Sequence, residues 1–440
     1  MMSSMALACR TASASPYCLA DLNDDLQTDF FDVSAFITRY SEGDLGVDLD
    51  HNGVLNFFDV SAFLVAFNNG CPDLTDSDGD RIPDFAETDD GVFIDLFKTG
   101  TDPHNPDTDT DGLSDGDEIL GTLDGLELPQ LGANPLRRDI FLECDWYAGE
   151  FNGTVADYRP TDAVVQRVVD AFKNAPVSNP YGADSGIDIH IDYGQDATTQ
   201  SDDGGLFVGG QQLPGAPIFL LFDFDFNILK SQYFDDSRRG FFHYAIFAHR
   251  YNSPSNNSSG VGELPGNDFM VTLSTYNTEM VMANTILHEL GHNLGFRHGG
   301  FEDRNWKPNY NSVMNYRYQF PGIDSDGDAL GDGIGDYSWG FSPAIDESAV
   351  LELSGIDGET PIDWDGDDSI NPEPYTANIN CLFRIRPCGL GTDCDDNTCD
   401  VLLDQNDWDM IRWDRLSASV DRLPQPEVIE CDNWPGKFSP

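Results

Sequence analysis

The sequence predicts an α+β protein whose opening part differs in kind from the rest. Three observations carry that prediction. A seven-residue block, Phe30 to Phe36, recurs unchanged as Phe57 to Phe63, each copy opening a helix-like run behind an oxygen-rich loop. Acidic side chains then recur at alternate positions through a stretch poor in apolar residues. From about Arg137 the pattern changes to strand-like runs, a helical period and a long helix bearing two histidines one turn apart. A small all-α module and an acidic linker are therefore expected ahead of a domain containing a sheet and helices.

With 440 residues the chain can hold about two or three domains with a sizeable core. A formal net charge of -55 disfavours nucleic acid and anionic membrane as partners. Disorder does not explain that charge, because 12% of the residues are aromatic and 40% hydrophobic. No apolar run is long enough to span a membrane.

Residues 1–17 form an N-terminal segment that reads as a poor signal peptide, its start either truncated or misassigned: the apolar stretch is short, and Arg10 follows it instead of preceding it. Residues 18–72 contain the repeat. In its second copy Asp48, Asp50, Asn52, Gly53, Asn56 and Asp59 fall on positions 1, 3, 5, 6, 9 and 12 of an EF-hand-type calcium loop. In the first copy Asp21, Asn23, Asp25, Asp29 and Asp32 take the ligand positions, and Leu26 stands where the turn glycine is expected. Helices follow, with Val33, Phe36, Ile37 and Tyr40 on one face and Val60, Phe63, Leu64 and Phe67 on its equivalent. Cys18 and Cys71 bracket the pair and are placed to staple its ends. The pair resembles a dockerin, including Asp rather than Glu at position 12, which implies a cohesin-like partner. A calcium-stabilised spacer without a partner accounts for the same residues.

The linker spans 73–135. Asp76, Asp78, Asp80, Asp84 and Glu87 keep calcium-loop spacing, as do Asp107, Asp109, Asp111, Asp115 and Glu118. The second loop is similar to thrombospondin type 3 repeats. With so few apolar residues, both loops need metal to hold shape.

A larger domain is expected over 136–420, with a tail at 421–440. Asp139 to Tyr147 reads as a strand, and Ala163 to Phe172 as a helix with Thr161 or Asp162 as cap. Ile187 to Tyr193, His243 to Tyr251 and Phe269 to Thr275 read as strands, and about Thr278 to Leu294 as a helix. Asp324, Asp326, Asp328 and Asp332 form a further calcium-like loop, and Asp363 to Asp368 reads as an acidic turn. Asn406 to Leu416 is expected to close the domain as a helix. Cys381, Cys388, Cys394, Cys399 and Cys431 suggest a disulfide-braced region whose pairing the sequence leaves open. Cys144 lies in an apolar run and reads as a buried thiol.

The densest signal is His288-Glu289-Leu290-Gly291-His292-Asn293-Leu294-Gly295-Phe296-Arg297-His298. Histidines four apart share a helix face and can bind one zinc ion. Gly295 lets the chain turn back, bringing His298 round as a third ligand. Three nitrogens leave one coordination position open, as a catalytic zinc requires. Zinc would lower the pKa of a bound water to about 7. Glu289 is placed to accept its proton as the water attacks a peptide carbonyl, and then to protonate the leaving amine.

HExxHxxGxxH resembles the metzincin zinc metallopeptidases. Such a protease also has a tight methionine turn beneath the metal, and Ser312-Val313-Met314-Asn315-Tyr316 supplies one. The resemblance implies a catalytic domain with a twisted mixed sheet, a zinc-binding helix and a C-terminal subdomain. It makes Met314 the turn methionine, and Tyr316 matches the Met-x-Tyr form of astacin-like, serralysin-like and pappalysin-like members, which in the first two groups implies a zinc ligand or oxyanion stabiliser. It also implies that the strand before the zinc helix lies at the sheet edge, so that Phe269, Val271 and Leu273 would pair with an extended substrate. The expected activity is that of a secreted, calcium-stabilised zinc endopeptidase acting on protein or peptide substrates. A catalytically silent binding protein or a dockerin-type assembly component on the same scaffold is the alternative. Calcium loops and cysteine usage favour an extracellular or envelope location.

Overall fold

The repeated block folds as two helices, α1 (Phe30–Glu42) and α2 (Phe57–Asn69), in the computed structural model. The structure describes residues 17–413, apart from 24, 26, 50–52, 152, 183–184, 196–208, 275–277, 382–387 and 389–397, together with the strand 427–430. The chain divides into two units, Met1–Thr108 and Asp109–Pro440. That division falls inside the acidic stretch.

In the first unit, loop positions 9 and 12 have a capping role. Asp29 and Asn56 are the N-caps of α1 and α2, and Asp32 and Asp59 return hydrogen bonds to the cap backbone. Asp32 also accepts from the Leu22 amide, and Asp59 from that of Leu49. Each carboxylate therefore ties its helix to the start of its loop. The helices meet along a narrow seam where Phe36 and Phe63 stack at 4.2 Å. Ala20, Leu22 and Val47 complete this small core, and a Cys18–Cys71 disulfide closes it. Ile37 and Leu64, expected on the buried face, are 60% and 57% exposed. A two-helix contact is too narrow to cover them.

The second unit opens with α3 (Asp115–Leu120). Next come β1 (Asp139–Trp146), the hairpin β2 (Ala148–Phe151) and β3 (Thr154–Asp157), α4 (Asp162–Lys173) and β4 (Asp188–Asp192). After α5 (Asn227–Tyr233) come β5 (Phe242–Phe247), β6 (Gly260–Leu264), β7 (Asp268–Val271) and α6 (Glu279–Asn293). A short pair, β8 (Ile345–Asp346) with β9 (Val401–Leu402), and the strand β10 (Glu427–Glu430) complete the set. The six-stranded sheet runs β10-β6-β7-β5-β1-β4. Its pairings among β4, β1, β5 and β7 are parallel, and those of β6 with β7 and β10 are antiparallel. The result is a mixed α/β layer. All eight residues of β1 and all six of β5 are buried, as parallel central strands require. Helix α4 packs on α6 and β4, while α6 also packs on β6 and β7.

Two expectations are corrected. The strand before α6 is not at the edge, because β7 is paired on both sides by β5 and β6. Phe269 and Val271 lie within this interior strand and Leu273 just past its end, all buried. The intervening β6 reads Gly-Val-Gly-Glu-Leu, and two glycines hide a strand from propensity. The expected closing helix at Asn406 to Leu416 is, over its described residues, a single turn at Trp408–Met410. Its backbone is engaged elsewhere: the Asp407 amide donates to Ser338 and that of Arg412 to Leu294.

Candidate metal centre

Helix α6 starts at Thr278, whose side chain caps the Val281 amide. It carries His288, Glu289 and His292, all fully buried. At its end Gly295 takes φ +102, a conformation costly for any residue with a Cβ. The Phe296 amide bonds back to Gly291, and a turn from Arg297 to Gly300 follows. His298 sits on that turn. The three imidazole centroids are 4.8, 5.2 and 4.8 Å apart, and one ligand nitrogen from each lies within 4.8 Å of the other two.

Hydrogen bonds set which nitrogens face inward. His288 Nδ1 donates to the Val313 carbonyl at 2.7 Å, and His292 Nδ1 to that of Phe296 at 2.8 Å. A carbonyl can only accept, so each ring keeps its proton on Nδ1 and its lone pair on Nε2. His288 Nε2 and His298 Nε2 are buried without a hydrogen-bond partner. Burial and the neighbouring imidazoles hold His288 and His298 well below the usual histidine range. Burial lowers His292 to about 4. Three neutral rings with converging lone pairs fit a borderline-soft divalent cation such as zinc.

The turn expected from Ser312 to Tyr316 lies against this cluster. Met314 is buried, and its Sδ fills the space where a side chain on Gly291 would go. The Tyr316 ring lies 4.4 Å from His298 and 5.8 Å from His288, centroid to centroid. Residues that the sequence did not single out hold the turn in place. Ser312 Oγ donates to Asp407 at 2.7 Å and receives the Met314 amide. Asp407 also accepts from the Tyr310 hydroxyl and the Ser338 amide. The Tyr337 hydroxyl donates to the Leu287 carbonyl in α6. Burial raises Asp407 to about 7. Asn293, beside His292, donates to the carbonyls of Glu263 and Asp268, fastening α6 to β6 and β7. Only the tight spacing of polar and aromatic residues around the motif hinted at these roles.

The acidic positions are distributed along both units. Asp76, Asp78 and Asp80 bring carboxylate oxygens within 4.8 Å of one another. Both Asp78 oxygens are buried without a hydrogen bond, whereas Asp84 is turned onto Ser77. Glu87 accepts from Thr101. Asp107 lies one residue before the end of the first unit. In the second unit Glu118 is buried with neither oxygen hydrogen-bonded. Burial, then Asp111, Asp109, Asp139 and Asp115, push its carboxyl well above the usual range. Carboxylates packed this way fit an oxygen-seeking cation such as calcium. Asp324 accepts from the amides of Gly327 and Ala329, while Asp332 turns onto Ser325. Asp324 and Asp326 line a cleft with Asp357 and Glu359, and Asp328 caps the Leu330 amide. The Asp363 loop repeats this geometry, with Asp363 accepting from Gly366 and Asp368. In the repeat loops Asp48 accepts from Gly53, Asp21 and Asn23 from the Asp25 amide, and Asp25 from that of Gln27. Asp50 and Asn52 lie outside the described residues. Cys388 pairs with Cys399, Cys381 is also disulfide-bonded and Cys144 is a buried free thiol. Cys394 and Cys431 lie outside the described residues.

No family model matches the chain, and no curated protein matches it. Among solved structures, mirolysin in complex with compound 9 is similar at 14% identity and a TM-score of 0.25, over 38% of this chain and 68% of that one. So low a score does not bear on the fold.

Proposed function

We propose that the protein is a secreted zinc-dependent endopeptidase stabilised by calcium. The observation that carries this reading is the convergence of His288, His292 and His298, two of them with their tautomer fixed by backbone carbonyls. Zinc bound there would supply an acidified water and polarise a substrate carbonyl. Glu289, next to the first ligand, takes up the water's proton and returns it to the leaving amine. Tyr316 is close enough to the rings to share charge on the reacting oxygen. The carboxylate clusters hold calcium, which offsets their repulsion. Glu289→Ala is expected to keep its zinc and to lose at least about 10²-fold in cleavage of a denatured protein. Undiminished cleavage would rule out the mechanism.

One observation favours a second role for the first unit. Phe30, Phe31, Phe57 and Phe58 are 65–74% exposed at equivalent starts of α1 and α2. A repeated apolar pair on a solvent face suits docking to a partner. Cohesin pull-down with calcium and with chelator separates this role from that of a spacer.

A further inference from the structure

We propose that the strand Glu427–Glu430 is a built-in competitor for extended peptides at the zinc site; this rests on the peptidase reading. Without β10, the edge of the sheet would be β6. That edge borders the catalytic carboxylate. A side-chain carbon on Gly262 would come within 3.3 Å of Glu289 Oε2 and 3.5 Å of His292 Cβ, and one on Gly260 would collide with Glu289 and the Met270 carbonyl. An extended peptide adding to β6 would therefore run one strand spacing, about 4.8 Å, from the strand that touches the general base.

The chain's own segment already occupies this place. β10 pairs antiparallel with β6, with Glu427 opposite Leu264, Val428 opposite Glu263, Ile429 opposite Gly262 and Glu430 opposite Val261. Ile429 and Glu430 thus lie in register with the stretch of β6 that lies on Glu289. Backbone hydrogen bonds carry this type of pairing, so a second strand cannot use the same edge while β10 holds it. Glu289 has no exposed surface in this arrangement. A tethered occupant acts at an effective concentration on the order of millimolar, so it excludes weakly held peptides and yields to better ones.

Three forms test this: the full chain, the chain lacking residues 425–440, and Val428→Pro combined with Ile429→Pro. Successive strand residues point their amides to opposite sides, so the proline pair removes one amide facing β6 while keeping Cys431. Release of the strand should speed hydrogen exchange in β6 and lower KM about tenfold with kcat unchanged. A fluorescent peptide with the sequence of residues 425–430 should bind the two altered forms, carrying Glu289→Ala to prevent turnover, and not the full chain with that substitution. Unchanged β6 exchange would show that the strand does not dock. Faster exchange with unchanged KM and unchanged peptide binding would show that it does not compete. If no form cleaves any substrate the peptidase reading fails, and the peptide-binding comparison still decides whether β10 holds the edge.

Discussion

Asp407 shows how a single residue outside the histidine cluster can hold the turn that packs against it. Its carboxyl gathers Tyr310, Ser312 and Ser338, and Ser312 in turn holds the Met314 amide beside the carbonyl that fixes His288. Burial raises it to about 7, above the unfolded value of about 3.9. The native state therefore holds this proton more tightly than the unfolded state. The stabilisation is complete below about pH 4 and is lost as pH rises through 7. Asp407→Asn does not titrate, so the stability advantage of the native protein over this variant should shrink between pH 4 and 8. Calorimetry of both proteins across that range checks this. A gap that widens with pH would mean that the hydrogen bonds outweigh burial.

At the scale of elements, β6 connects the sheet to the centre. Its glycines are needed because Glu289 and the Met270 carbonyl occupy the space beside them. Gly260→Ala should cost about 1–3 kcal/mol as the strand shifts to relieve the overlap, measured by urea unfolding; a neutral substitution would show that β6 and α6 are not in close contact. The same strand marks where the sequence was least legible. The helix from Thr278 and the strands at Asp139, Ile187 and His243 stand out because apolar period alone specifies them. The three converging histidines were legible because their spacing is itself the geometry. β6 was not, since glycines chosen for a close approach read locally as loop. The turn at Trp408–Met410 was missed because bonds to Ser338 and Leu294 override a helical period.

At the scale of the whole molecule, the two units differ in what holds them together. The second has an extensive apolar core built on β1, β5 and α6. The first buries only five side chains in its described core cluster, and on the proposed calcium reading its acidic loops would need cations to fold. Chelation of calcium should open residues 20–120 to limited proteolysis before the later sheet, and an unchanged cleavage pattern would mean that the acidic loops need no metal.

On the proposed function, His288, His292 and His298 share one zinc ion. Anomalous diffraction at the zinc edge, on crystals of the purified protein, tests it most directly. One peak bonded to all three imidazoles, with one position left for solvent, is expected; no peak there, or a fourth protein ligand closing the site, would rule out a shared catalytic zinc.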